Sequence, residues 1–117
     1  MSSITLLHNP RCSKSRQALA LLQEKGIEPE VVEYLKTPLD KNELKALFAK
    51  LGLTSVTEMM RTKEAEFREA GLDSPDTTDE DRFAAMATFP KLMERPVAIR
   101  GNSARIGRPP ENILELL

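Results

Sequence analysis

The chain reads as an α/β protein with a βαβ unit at its start, a ββα unit at its end and a helical insertion between them. Three observations predict this. Two β-rich runs, Ile4–His8 and Glu30–Tyr34, flank one amphipathic segment, and strands separated by so long a crossover must run parallel. The middle of the chain, about residues 40–90, carries helix caps and helical apolar spacing. Two further β-rich runs, Val97–Arg100 and Ser103–Ile106, are separated only by Gly101-Asn102, a two-residue hairpin signal. The expected product is a small mixed sheet covered by helices, in a single domain spanning residues 1–117.

Each element has a local reason. The first strand is apolar and ends at Asn9-Pro10, a turn pair. The helix after it places Ala18, Leu21 and Leu22 on one face, and Gly26 stands where a left-handed cap would stop it. Asp40 followed by Glu43 has capping-box spacing and precedes Leu44, Leu47, Phe48 and Leu51. Ser55 and Glu58 repeat that spacing before Met59 and Met60, a third helical piece runs through Ala65 and Phe67 to Gly71, and Thr78 opens a fourth helix bearing Phe83, Met86 and Ala87. Pro109-Pro110 is expected to begin a final helix on which Ile113, Leu114 and Leu117 form the apolar side.

Composition narrows the function. The chain has 117 residues, 40% hydrophobic and 30% charged, which suits one packed domain rather than a disordered chain. Seventeen Lys and Arg against eighteen Asp and Glu give a net charge of −1, so a general nucleic-acid binder is not expected. A single cysteine makes no internal disulfide, and one cysteine with one histidine leaves no ordinary zinc or His-based metal site. No run approaches the roughly 18 apolar residues of a membrane helix, and the start has no secretory pattern. A cytoplasmic monomer, with no nucleic-acid or membrane partner, is the expectation.

Cys12 carries the sharpest chemical signal. It follows a strand and a turn and opens a helix, where unpaired N–H groups and the helix dipole favour an anion. Arg11, Lys14 and Arg16 are close in sequence, and cations lower a thiol's pKa below the roughly 8.5 of a free cysteine. A buried cysteine of no function would ordinarily sit among apolar residues instead. Ser15 stands where a two-cysteine oxidoreductase keeps its resolving thiol, so an oxidised Cys12 must be resolved by a thiol from outside, glutathione with a glutaredoxin being the obvious source. Two roles are open to Ser15, a hydrogen bond to the thiolate or service to the helix's first turn. His8 is open to tuning the loop electrostatically or to being a satisfied strand-end residue. A cysteine phosphatase loop would need Arg six residues after its Cys; Ala18 stands there. Arg61, Arg95 and Arg108 draw attention because arginine forks match tetrahedral oxyanions, and the last two precede prolines that restrain the backbone beside them. The acidic residues Asp73, Asp76, Asp79 and Asp81 are most simply caps and solvated loop.

His8-Asn9-Pro10-Arg11-Cys12-Ser13-Lys14-Ser15-Arg16, then Arg61, Glu94-Arg95-Pro96-Val97 and Arg105-Ile106-Gly107-Arg108-Pro109, together resemble the glutathione- and glutaredoxin-linked arsenate reductase family. The resemblance spans essentially the whole chain. The end at Leu117 and the loop Arg11–Ser15 look like its shorter chromosomal branch. It implies a thioredoxin-like fold with a helical insertion, and Cys12 as the nucleophile on arsenate or a related oxyanion. It further implies that His8, Ser15 and Arg16 tune the thiolate, and that Arg61, Arg95 and Arg108 hold the oxyanion, Arg61 also affecting which arsenic product leaves. Glutathione would be a co-substrate, glutaredoxin a partner, and no cofactor would be bound. Two other readings are weighed beside it: a glutathione-dependent thiol transferase, and a non-catalytic thioredoxin-like regulator binding RNA polymerase. Three oxyanion-binding arginines disfavour the first, and Ser15 removes the Cys-x-x-Cys switch often found in the second.

Overall fold

In a computed structural model the described residues are 3–117, and they divide into two compact units, residues 3–37 with 95–117, and residues 38–94. The first unit holds the sheet. Strands β1 (Ile4–Leu7), β2 (Glu30–Val32), β3 (Val97–Arg100) and β4 (Ser103–Ile106) lie in the order β2-β1-β3-β4. β1 and β2 pair in parallel through Leu6 and Val31, while β1–β3 and β3–β4 pair antiparallel. The expected mixed sheet is therefore present. The hairpin register, Arg100 opposite Ser103, leaves Gly101 and Asn102 as its two-residue turn, and only the glycine takes positive φ, at 60°.

Helix α1 (Ser13–Glu24) is the crossover between β1 and β2. One sheet face, contributed by Ile4 and Leu6 of β1 and Ala98 of β3, packs with Ala18 and Leu22 of α1 and with Ile113 and Leu116 near the end of the chain. Burying such side chains supplies about 25 cal/mol per Å² of apolar area, which favours this arrangement of helix on sheet.

The final element differs from expectation. Residues Pro110–Leu116 form a 3-10 helix, not an α-helix. A repeat of three residues per turn aligns Pro110, Ile113 and Leu116 in one ridge, and all three are buried. Leu117, expected on the apolar side, is exposed. The Arg100 guanidinium donates to the Leu116 carbonyl at 2.8 Å, satisfying one of the carbonyls a helix end leaves open.

The second unit is helical. Helix α2 (Lys41–Leu51) begins with the Asp40–Glu43 capping box and stops at Gly52 with φ 66°. α3 (Ala65–Glu69) is a single short piece, and α4 (Asp79–Thr88) starts at a Thr78–Asp81 capping box. The Ser55–Glu58 box is present too, but it opens only a 3-10 turn, Val56–Met59, with Val56 and Met59 buried three residues apart. A second turn, Pro90–Leu92, was not anticipated, since Pro90 reads as a stop alone. Phe48 of α2 meets Phe83 of α4 edge to face, centroids 5.9 Å apart.

The 3-10 register has a measurable consequence. Ile113→Ala is expected to cost about 2–5 kcal/mol in urea unfolding, whereas Leu117→Ala should change stability by under about 0.5 kcal/mol. An α-helical register would give Leu117 a comparable cost.

Candidate active site

The loop between β1 and α1 is built by short-range hydrogen bonds. The Asn9 side-chain oxygen accepts from the Arg11 backbone N–H at 3.0 Å, and the Asn9 carbonyl accepts from the Cys12 N–H at 3.0 Å. The Arg16 guanidinium reaches back to the Pro10 carbonyl at 2.9 Å, and the Arg16 N–H takes the Cys12 carbonyl at 3.0 Å. Cys12 is thereby fixed as the N-cap of α1, with an extended backbone at φ −94° and ψ 123°. Its sulfur stands where a capping oxygen would. It makes no cap hydrogen bond of ordinary geometry, yet the Ser15 and Lys14 N–H dipoles act on it and favour its anion.

Burial by itself would raise the Cys12 thiol. The Ser15 N–H, the Arg95 guanidinium, the Lys14 N–H and the Arg108 guanidinium together outweigh that cost, and the net shift is below the ordinary value. The charges responsible differ from those suggested by sequence proximity. Arg95 precedes β3 and Arg108 follows β4, so the sheet delivers both to a cysteine they are far from along the chain. Lys14 acts on the sulfur through its backbone N–H, and Arg16 serves as a latch on the loop.

His8 and Ser15 have a different office from direct tuning. His8 ends β1 with its N–H on the Val32 carbonyl at 2.8 Å, and both side chains are buried. Ser15 Oγ lies 2.6 Å from His8 Nδ1 and accepts from the Asn9 N–H at 3.0 Å. The hydroxyl is thus placed between His8 and Asn9, where it ties the end of the strand to the start of the helix. With Oγ already accepting from Asn9, its proton suits an unprotonated Nδ1. Burial lowers the His8 pKa, Glu33 opposes that and Arg16 adds to it, so His8 is neutral at neutral pH and brings no positive charge to the loop.

Arg95 and Arg108 are tied to each other. Arg108 Nε donates to the Arg95 carbonyl at 2.9 Å, and the Gly107 N–H donates to the Pro96 carbonyl at 2.8 Å. Both Arg95–Pro96 and Arg108–Pro109 are cis peptides. Arg95 Nε and Nη1 are buried and have no hydrogen-bond partner among the described residues. Two such donors on one guanidinium suit a paired acceptor. Arg61 lies in the other unit, paired there with Glu64 at 2.5 Å and Glu94 at 4.0 Å. Among the described residues no three His, Cys, Asp or Glu side chains gather as a metal site. No helix there is long and apolar enough to cross a membrane.

Sequence reasoning missed Asn9 as the organiser of the loop and Gly107 as a packing point. The Asn-Pro pair signals a turn, but not that Asn9 serves it twice, through its side-chain oxygen to the Arg11 N–H and through its carbonyl to the Cys12 N–H.

The ArsC family model matches residues 7–116. An arsenate reductase from Neisseria meningitidis serogroup A is 50% identical over 117 residues, covering all of both chains. One from Haemophilus influenzae is 45% identical over 98% of this chain and 99% of its own. The solved structure of an arsenate reductase from Vibrio cholerae superposes with a TM-score of 0.97 at 49% identity, covering 99% of this chain and 98% of that one.

Two measurements test this geometry. The alkylation rate of Cys12 against pH should have its midpoint below the roughly 8.5 of a free thiol, and Arg95→Ala should raise it. His8 binds its proton more weakly folded than unfolded, so the unfolded chain takes up protons first as pH falls below 6.5. Stability should therefore drop from about pH 6.5 downward, and His8→Asn, which keeps an acceptor near the Nδ1 position, should flatten that slope in urea titrations.

Proposed function

The chain belongs to the ArsC family, and from that premise we propose that it reduces arsenate to arsenite, with Cys12 as nucleophile and glutathione and glutaredoxin as the thiols that supply electrons. The observation that carries the oxyanion reading is Arg95, whose buried Nε–H and Nη1–H lack acceptors beside a cysteine it holds toward the thiolate. A tetrahedral oxyanion offers paired oxygens to such a fork. A glutathionylated protein, the substrate of the transferase alternative, brings a disulfide to the same place and leaves those donors unanswered.

The chemistry then follows in order. The Cys12 thiolate attacks arsenic(V) and an oxygen leaves as water once protonated, giving a sulfur–arsenic(V) adduct. Arg95 and Arg108 balance negative charge on the remaining oxygens, where fixed donors act without reorganising. The glutathione thiol then displaces a second oxygen from arsenic as water, and one water adds back when arsenite departs. Arsenic takes up two electrons, and two thiols lose them in becoming one disulfide, which includes glutathione and is cleared by glutaredoxin. Arsenite departs and Cys12 returns to its thiolate. Nothing in this scheme calls for a bound cofactor or metal, and glutathione enters as a co-substrate. Reliance on free glutathione suits the reducing cytoplasm.

The deciding assay couples NADPH consumption through glutathione reductase to arsenate, with glutathione and glutaredoxin present. Cys12→Ser should abolish turnover, and Arg95→Ala should lower kcat/KM by about 100-fold, the usual cost of removing an oxyanion donor. Full turnover in Cys12→Ser would overturn the mechanism. Full turnover in Arg95→Ala would remove the oxyanion role of the arginine.

A further inference from the structure

Gly107 sits between the end of β4 and Arg108, is buried, and is not among the glycines with positive φ. Backbone freedom is therefore not what the position uses. Space is. A β-carbon at Gly107 would lie 2.8 Å from Pro96 Cγ, 3.2 Å from Ile113 Cγ2 and 3.4 Å from Pro96 Cδ. By contrast, Gly26, Gly52 and Gly71 would meet nothing within 4 Å. Carbon atoms rest about 3.5–4.0 Å apart, so a methyl group at 107 would force the proline ring and the 106–108 backbone apart.

Those two segments carry the arginines. Pro96 directly follows Arg95, and Arg108 directly follows Gly107. They are joined by the Gly107 N–H to Pro96 carbonyl bond at 2.8 Å and by Arg108 Nε to the Arg95 carbonyl at 2.9 Å. Separating them lengthens both bonds and moves one guanidinium relative to the other. We propose that Gly107 is a positioning residue for the oxyanion clamp: its missing side chain lets the 106–108 backbone close onto Pro96 and so sets the spacing of Arg95 and Arg108 beside Cys12. This rests on the reading of those arginines as the clamp. Gly107 touches no substrate and acts through the two residues it brings together.

The test is Gly107→Ala, followed by alkylation of Cys12 with iodoacetamide across pH and by protection of Cys12 with sulfate. The alkylation midpoint should move up toward that of a free thiol, and the sulfate concentration giving half protection should rise about tenfold, since displacements near an ångström carry effects of that order or more. A merely structural glycine would lower Tm and leave both readings where they are, and that result overturns the proposal. Ile113→Ala serves as the comparison, because it weakens the core while giving residue 107 more room. It should lower Tm and keep the wild-type midpoint. Should Gly107→Ala fail to fold, the Gly107→Ala/Ile113→Ala pair is measured against Ile113→Ala, and an unchanged midpoint in the pair overturns the proposal equally. A wild-type protein with an ordinary thiol and no sulfate protection would instead overturn the clamp itself, and this inference with it. A wild-type protein that shows both, matched in full by Gly107→Ala, overturns only the role of Gly107.

Discussion

An anionic sulfur held at the first turn of α1 is the interaction on which the molecule's chemistry depends. Its burial is unfavourable to charge, and the thiol falls below its ordinary pKa because other groups outweigh that cost. Two of those groups are backbone N–H dipoles that any helix start provides. The other two are guanidinium groups brought by β3 and β4, and they require the sheet. The fold thus draws the stabilisation from both local geometry and topology. The antiparallel pairing of β1 with β3 sets Leu7 opposite Val97, which places the start of β3, and Arg95 before it, at the end of β1 from which the cysteine loop leaves.

The support behind the sulfur is polar and neutral. His8, Ser15 and the Asn9 N–H form a closed set of hydrogen bonds, and the histidine stays uncharged within it. A charged imidazole would face Arg16, whose field already opposes its protonation. The hydrogen bond between the ring and the serine hydroxyl ties the end of β1 to the first turn of α1. The loop's shape is thereby held without competing for the anion.

Much of the fold is legible in the sequence because its signals are local. The Asp40–Glu43, Ser55–Glu58 and Thr78–Asp81 boxes, and the Gly101-Asn102 turn, each involve residues within three positions of one another. What the sequence hides is the choice between helix types. Ile113 and Leu114 fit an α-helical stripe as well as Pro110, Ile113 and Leu116 fit a 3-10 ridge, and packing against α1 and the sheet decides between them. The site divides in the same way. Cys12 is recognisable from its own neighbours, whereas the source of its positive field is not. Arg16 is adjacent in the chain but is bound to the Pro10 carbonyl, and a reading by sequence distance overlooks Arg95 and Arg108. The hydroxyl of Ser15 is hidden for a similar reason, since its partner His8 lies seven residues away across a turn.

The clamp arginines also show why a single cysteine suffices. A second, resolving thiol at the position of Ser15 would need a side chain free to reach Cys12, but this hydroxyl faces His8 and is buried. The position is spent on holding the loop. In the proposed mechanism electrons then arrive on a thiol from outside, and an external thiol needs the substrate held while it approaches. Two fixed guanidinium groups do that for an oxyanion, since their attraction lasts as long as the oxygens carry charge. The buried Arg95 donors carry a desolvation cost that a bound oxyanion would remove, so the same feature that lowers stability favours binding. Committing Ser15 to the loop and leaving Arg95 unanswered are thus two sides of one arrangement, in which the protein holds the substrate and the reducing equivalents come from solution.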